Sequence, residues 1–227
     1  MSKPQIDVTE YRQWISKNID IDTNTALLFS EFVLGTPAFG LSKKERNFYD
    51  YYQFQSITDY TQLRTDLLGK IPFKTCETYK NLENELLTDN TINFSATIPD
   101  ELTEKIYIYT GYPSSSKFLK NKFNLDSSTK GKKKIEIYDS TTEKKDAVAI
   151  EKLFYHLRNG LAHGGFSTLT KNNELYYIIQ DESSNGFISA RMILKLNTLL
   201  SWIEYLKNRK KTIETQKEPN DKKQLAS

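Results

Sequence analysis

The chain of 227 residues is long enough to bury a core without disulfides or metal staples, and one domain would account for it. Its single cysteine, Cys76, excludes an intramolecular disulfide, and one Cys with two His excludes Cys-rich zinc sites and iron–sulfur clusters. The net charge of +3 divides unevenly, because residues 1–110 carry 11 Lys and Arg against 16 Asp and Glu, whereas residues 111–227 carry 21 against 13. The basic second half favours an anionic partner, or is a lysine-rich solvated surface.

The sequence shows no sign of membrane insertion or secretion. Its longest apolar runs, such as Ala26–Phe29, are far too short to span a bilayer. Residues 1–7 are too polar for a signal peptide. We therefore expect a cytoplasmic protein that does not contact membranes.

Helical periodicity dominates the N-terminal half, and we predict N-terminal helices over residues 7–110. Apolar residues recur at helical spacing over 7–35, 42–68 and 75–88. The aromatic cluster over 48–54 is typical of a packed core, although such rings also serve as stacking platforms for bases.

A lysine-rich loop follows over residues 113–134. Seven lysines lie there against one acid, Asp126, with two phenylalanines between them. This mixture is typical of contact with a phosphate backbone and also of a mobile, solvated loop. The candidate backbone contacts are Lys117, Lys120, Lys122, Lys132, Lys133 and Lys134.

The clearest helix in the sequence covers residues 142–163 and ends at Gly164-Gly165. One arc of its helical wheel is apolar and predicts contact with a core. A narrow polar arc on the other side contains both histidines of the chain; its members are Lys152, His156, Asn159 and His163.

The remaining sequence predicts a short hairpin, one more helix and a tail. Alternating apolar residues on both sides of Lys171-Asn172-Asn173 predict a β-hairpin over 166–181. An amphipathic pattern predicts the last helix over 189–208. Residues 213–227 lack a hydrophobic period, and we expect a disordered tail there.

One stretch of the helix predicted over 142–163 resembles a known family; it is the run Leu157-Arg158-Asn159-Gly160-Leu161-Ala162-His163-Gly164. It closely resembles the Arg-x4-His motif of HEPN domains, in which a polar residue often follows the arginine. The resemblance covers about residues 141–208 and implies a mainly α fold. We therefore expect one HEPN-like α-helical bundle over residues 1–212, with the short β-hairpin inserted between the motif helix and the last helix.

The same resemblance implies a function. HEPN domains of the small bacterial toxin and phage-defence type cleave RNA without a metal or other cofactor, at a site shared by the two chains of a symmetric dimer. It implies catalytic roles for Arg158, Asn159 and His163, with RNA as substrate, a homodimer as assembly, and an antitoxin or regulatory protein as a further partner. The chemistry of these residues agrees, because imidazole exchanges protons near neutral pH and guanidinium matches phosphate oxygens.

Other interpretations of these residues stay open. His163 could be a helix-end histidine favoured by the helix dipole, and Arg158 could pair with Glu151 on the helix surface. His156 could act as a second acid or base, or could line a cleft or interface with Lys152 and Tyr155. The alternative functions are a non-catalytic HEPN module that binds nucleotide, RNA or a protein, and a helical antitoxin-like regulator.

Overall fold

A computed structural model describes residues 23–34, 58–92, 102–111 and 142–209 of the chain. These residues form a five-stranded mixed sheet with helices on both faces. In chain order the elements are α1 (Thr23–Leu28), which continues as a π-helix over Phe29–Leu34, α2 (Thr58–Leu68), β1 (Phe73–Cys76), α3 (Tyr79–Thr88), β2 (Lys105–Tyr109), α4 (Thr142–Ala162), β3 (Phe166–Lys171), β4 (Glu174–Glu182), β5 (Ile188–Lys195) and α5 (residues 196–209).

The strands lie in the order β1-β2-β5-β4-β3. The first two are parallel, with Phe73 opposite Ile106, and every other pair is antiparallel. Strands β3 and β4 form a hairpin through Asn172 and Asn173, whose φ angles are 52° and 61°. Asparagine tolerates this left-handed region, which tight hairpin turns require. The predicted hairpin is therefore confirmed.

The sheet separates two apolar clusters because its central strands are covered on both faces. Along β4, Tyr177 and Ile179 point toward α4, whereas Tyr176 and Ile178 point toward α3. The larger cluster joins α1, α2, α4 and α5, and the indole of Trp202 donates a 2.7 Å hydrogen bond to the carbonyl oxygen of Leu67. The smaller cluster lies under α3.

The predicted mainly α bundle is wrong, because the hairpin belongs to a five-stranded sheet rather than being an insertion. Residues 189–195, predicted as the start of the last helix, lie in β5 between β2 and β4. This central strand is buried on both faces, and its apolar residues run directly into those of the following helix, so the sequence fits a helical pattern as well as a strand pattern. The helix begins only at residue 196.

The N-terminal half also contributes strands where helices were predicted. Within residues 7–110, the segments Phe73–Cys76 and Lys105–Tyr109 form β1 and β2. Helices are confirmed over 23–34, 58–68 and 79–88. The lysine-rich loop 113–134 and the predicted tail 213–227 lie outside the described residues, as do 7–22 and 42–57.

Candidate functional site

The motif lies at the C-terminal end of α4, where the sequence stops the helix with two glycines. The amide of Gly164 donates to the carbonyl of Leu161 at 3.1 Å, and that of Gly165 donates to the carbonyl of Gly160 at 2.7 Å. This pair of bonds is the Schellman arrangement, which requires a left-handed residue after the helix. Gly164 supplies it with a φ of +69°. His163 therefore occupies the last position before the turn.

Strand β4 runs unusually close to this helix end. A Cβ atom at Gly160 would lie 2.5 Å from Cγ2 of Ile179, and one at Gly165 would lie 2.2 Å from the carbonyl oxygen of Gln180. The amide of Gln180 donates to the carbonyl of Gly165 at 2.6 Å. Both glycines are therefore required by the close packing of the motif on β4.

Arg158 and Asn159 form a half-buried pair on α4. Nη1 of Arg158 donates to Oδ1 of Asn159 at 3.3 Å. The Nε atom of Arg158 is buried, and within the described part of the chain it has no hydrogen-bond partner. Among the described residues, the side-chain hydrogen bond of Arg158 goes to Asn159.

His163 is exposed, in contrast to the pair one turn before it. Its backbone amide donates to the carbonyl of Asn159 at 2.9 Å. Within the described ranges no hydrogen bond joins its ring to another residue. The structure thus places the three predicted catalytic residues on one helical end without bringing the Arg158 and His163 side chains into contact.

His156 lies in the interior, with 3% of its surface exposed. Its Nδ1 is 2.6 Å from Oδ2 of Asp181, and its Nε2 is 2.7 Å from the carbonyl oxygen of Tyr109. The ring thereby joins α4 to the ends of β4 and β2. The polar arc of the motif helix is consequently divided, with one histidine inside the protein and the other in solvent.

Lys152 and Tyr155 lie earlier on α4, and both are half-buried. The ammonium of Lys152 is 5.1 Å from the ring centroid of Tyr155, which is a cation–π distance. Burial lowers the pKa of Lys152 below its ordinary value, and the carboxylate of Glu151 opposes this shift. The Tyr155 ring in turn contacts His156 edge to face, with centroids 5.2 Å apart.

Asp181 is a residue of this region that the sequence did not reveal. It follows the apolar run of β4 and is 5% exposed, so its carboxylate requires a partner within the protein. An acid directly after the apolar run of a strand was the available signal, but its partner is 25 residues away on another element. Gly165 was predicted to help end the helix and Gly160 stood within the motif, whereas their close approach to β4 was not visible.

The predicted lysine contacts between Lys117 and Lys134 lie outside the described residues. The described ranges contain no group of three or more His, Cys, Asp and Glu side chains arranged to hold a metal ion. No helix in those ranges combines the length and apolar character needed to cross a membrane.

A helix that ends in Arg-Asn, three further residues and an exposed histidine carries the Arg-x4-His motif of the HEPN superfamily, and a family model supports that class. The model described as HEPN pEK499 p136 matches residues 42–220, and the chain belongs to this family. The resemblance found in the motif is therefore confirmed. Membership places the chain among HEPN-type nucleases and nucleotide-binding modules. No curated protein and no solved structure matches the chain significantly.

Proposed function

We propose that this protein is a metal-independent endoribonuclease that acts as a toxin or phage-defence effector. The observation that carries the proposal is the end of α4, where an exposed His163 follows a half-buried Arg158–Asn159 pair by one turn. The exposed imidazole is accessible to substrate, and the Nε atom of the Arg158 guanidinium has no hydrogen-bond partner among the described residues. This combination suits proton transfer beside a bound phosphate.

RNA supplies its own nucleophile for this chemistry. The 2′-oxygen attacks the adjacent phosphorus while the bond from phosphorus to the 5′-oxygen breaks, which gives a 2′,3′-cyclic phosphate and a 5′-hydroxyl. One group takes the proton of the 2′-hydroxyl and another gives a proton to the departing 5′-oxygen. His163 performs one of these transfers, Arg158 stabilises the charge on the phosphate oxygens, and Asn159 orients the guanidinium.

A second proton-handling group is needed, and the geometry favours a second chain as its source. His156 is enclosed by Asp181 and the Tyr109 carbonyl, so each chain offers only His163 among its two histidines. A two-fold dimer presents the same surface twice and brings two motifs to one cleft. The proposed active site is therefore composite, with one motif from each chain.

Purified protein incubated with single-stranded RNA in EDTA tests this proposal. We expect cleavage that leaves cyclic phosphate ends and stops when the 2′-hydroxyl at the cut site is replaced by hydrogen. His163→Asn, which retains a polar residue at the helix end, should lower kcat by about 10²–10⁴, the usual contribution of a general acid or base. Arg158→Lys should also lower it, because lysine lacks the forked donor geometry.

Lys80→Ala is the matched control, because Lys80 is an exposed residue on α3, across the sheet from α4. It should cleave at the wild-type rate. Activity that persists in His163→Asn would contradict the proposed site. RNA that stays intact in every condition but binds the protein would instead support the non-catalytic module, which the single accessible histidine of one chain also favours.

A further inference from the structure

His156 is a buried histidine that the proposed chemistry does not use. Its Nε2 lies 2.7 Å from a carbonyl oxygen, which only accepts, so this nitrogen must carry a hydrogen. Its Nδ1 lies 2.6 Å from the carboxyl of Asp181. Both hydrogen bonds are internal, and they leave no ring nitrogen for a substrate. The role of this residue is therefore to hold other parts of the protein.

His156 fixes the motif helix α4 against the neighbouring strands. Two of the contacts between β4 and α4 lie on either side of the Arg158–Asn159 pair: the side chain of Asp181 bonds to His156, and Ile179 and the backbone of Gln180 pack against Gly160. His156 and Gly160 are four residues apart, a rise of about 6 Å along the helix. Arg158 and Asn159 lie between these two points. A helix fixed on both sides of a residue pair can neither rotate nor slide there.

We propose that His156 and Asp181 are positioning residues for the Arg158–Asn159–His163 site. This inference rests on the proposed ribonuclease function. The hydrogen-bonded pair fixes the rotation of α4 against β4 and β2, so that the guanidinium and the His163 imidazole face their cleft at a constant angle. The pair itself touches no substrate.

The size of the effect follows from helix geometry. Side-chain tips lie about 5–6 Å from a helix axis, so a rotation of about 10° displaces them by about 1 Å. A displacement of that size at reacting groups costs about 10²-fold in rate. The loss should appear in kcat and not in KM. Binding of the RNA phosphate tolerates a displacement of about 1 Å in the side chains, whereas in-line attack of the 2′-oxygen on phosphorus does not.

Two substitutions of Asp181 distinguish whether this residue acts by positioning the motif helix or through the negative charge of its carboxylate. Asp181→Asn retains the geometry, because the amide can donate to Nδ1 of a neutral ring that still donates to Tyr109. Asp181→Ala removes the bond altogether. We expect kcat to fall about 10–100-fold in Asp181→Ala with KM unchanged within about threefold, and to stay within about threefold of wild type in Asp181→Asn.

Asp89→Ala is the matched control, because it also removes a hydrogen-bonded carboxylate, on the α3 side of the sheet. It should retain wild-type kcat at a comparable loss of thermal stability. Equal losses in Asp181→Asn and Asp181→Ala, a rise in KM alone, or an equal loss of kcat in Asp89→Ala would each overturn the inference.

Amide hydrogen exchange tests the positioning independently of activity. The amides of Gly164 and Gly165 close the helix end, and their exchange should accelerate at least tenfold in Asp181→Ala and not in Asp181→Asn. Unchanged exchange in Asp181→Ala would overturn the inference. If the wild-type protein failed to cleave RNA, the proposed function would fail, and this exchange measurement would still decide whether the pair positions the motif.

Discussion

Asp89 illustrates how single residues stabilise the α3 side of the sheet. Its carboxylate accepts hydrogen bonds from Lys105 at 3.0 Å, from the hydroxyl of Tyr107 at 2.8 Å and from the backbone and hydroxyl of Thr91. Burial alone would raise the pKa of this carboxyl, but these bonds lower it to about 2. Burial also raises the pKa of the Tyr107 hydroxyl, and the bond to Asp89 adds to that shift.

Replacing Asp89 by Asn removes a pH-dependent contribution to stability. Because the folded pKa of about 2 lies below the ordinary 3.8, the carboxylate stabilises the fold above about pH 4 and loses this contribution as the pH falls toward 2. We expect Asp89→Asn to lower the free energy of unfolding at pH 7 by about 1 kcal/mol, a value reduced for solvent screening of a partly exposed group.

Urea unfolding of both proteins at pH 7, 4 and 3 measures this contribution. The difference between the free energies of unfolding of wild type and Asp89→Asn should be constant from pH 7 to about 5 and should shrink at pH 3. Tyr107→Phe, which removes one donor and keeps the carboxylate, should give a smaller loss at pH 7. A difference that stays the same at all three pH values would contradict the assignment.

The end of α4 is an element whose geometry depends on three glycines for different reasons. Gly164 needs a positive φ but has open space around its α-carbon. Gly160 and Gly165 have no such φ requirement and instead lie against Ile179 and Gln180. Backbone conformation limits the first position, and steric contact limits the other two.

Alanine and asparagine substitutions separate these two requirements. Gly164→Ala should lower the free energy of unfolding by about 1–2 kcal/mol, and Gly164→Asn by less, because asparagine tolerates the left-handed region. Gly165→Ala should lower it more than Gly164→Ala, because its Cβ would meet a backbone oxygen that cannot turn aside. Urea unfolding of the three variants gives the order, and a larger loss in Gly164→Ala would contradict it.

The whole molecule presents the motif at the outer end of a helix whose other face belongs to the core. Arg158, Asn159 and His163 are half-buried or exposed, whereas Leu157 and Leu161 on the same helix are fully buried. The proposed dimer would use this surface. The proposed composite site requires a second copy of the chain, since one chain offers one accessible histidine.

Dilution tests this requirement at the scale of the assembly. We expect a particle of twice the 26.4 kDa chain mass at micromolar concentration, measured by light scattering after gel filtration. The rate of RNA cleavage per chain should fall in proportion to the dimer fraction as the protein is diluted. A monomer at micromolar concentration that retains its full rate per chain would contradict the composite site.

Sequence and structure agree where the signal is local. Residues 142–162, the glycines that end this helix and the Asn172–Asn173 turn were predictable, because helical period, helix capping and turn chemistry each depend on neighbouring residues. The position of β5 was not, because this strand is buried on both faces and its apolar residues run directly into the pattern of the helix that follows. The short strands β1 and β2 were missed for a related reason, since each is stabilised by a partner distant in the chain.

The sequence by itself determined the HEPN family, the motif helix and the identity of the three candidate site residues, because each of these depends on residues that are close together in the chain. Only the tertiary structure decided that His156 faces Asp181 and the Tyr109 carbonyl, 25 and 47 residues away. On a helical wheel His156 and His163 share one polar arc. The fold divides them, because Asp181 of β4 and the Tyr109 carbonyl of β2 enclose the ring of His156, whereas the side chain of His163 is exposed.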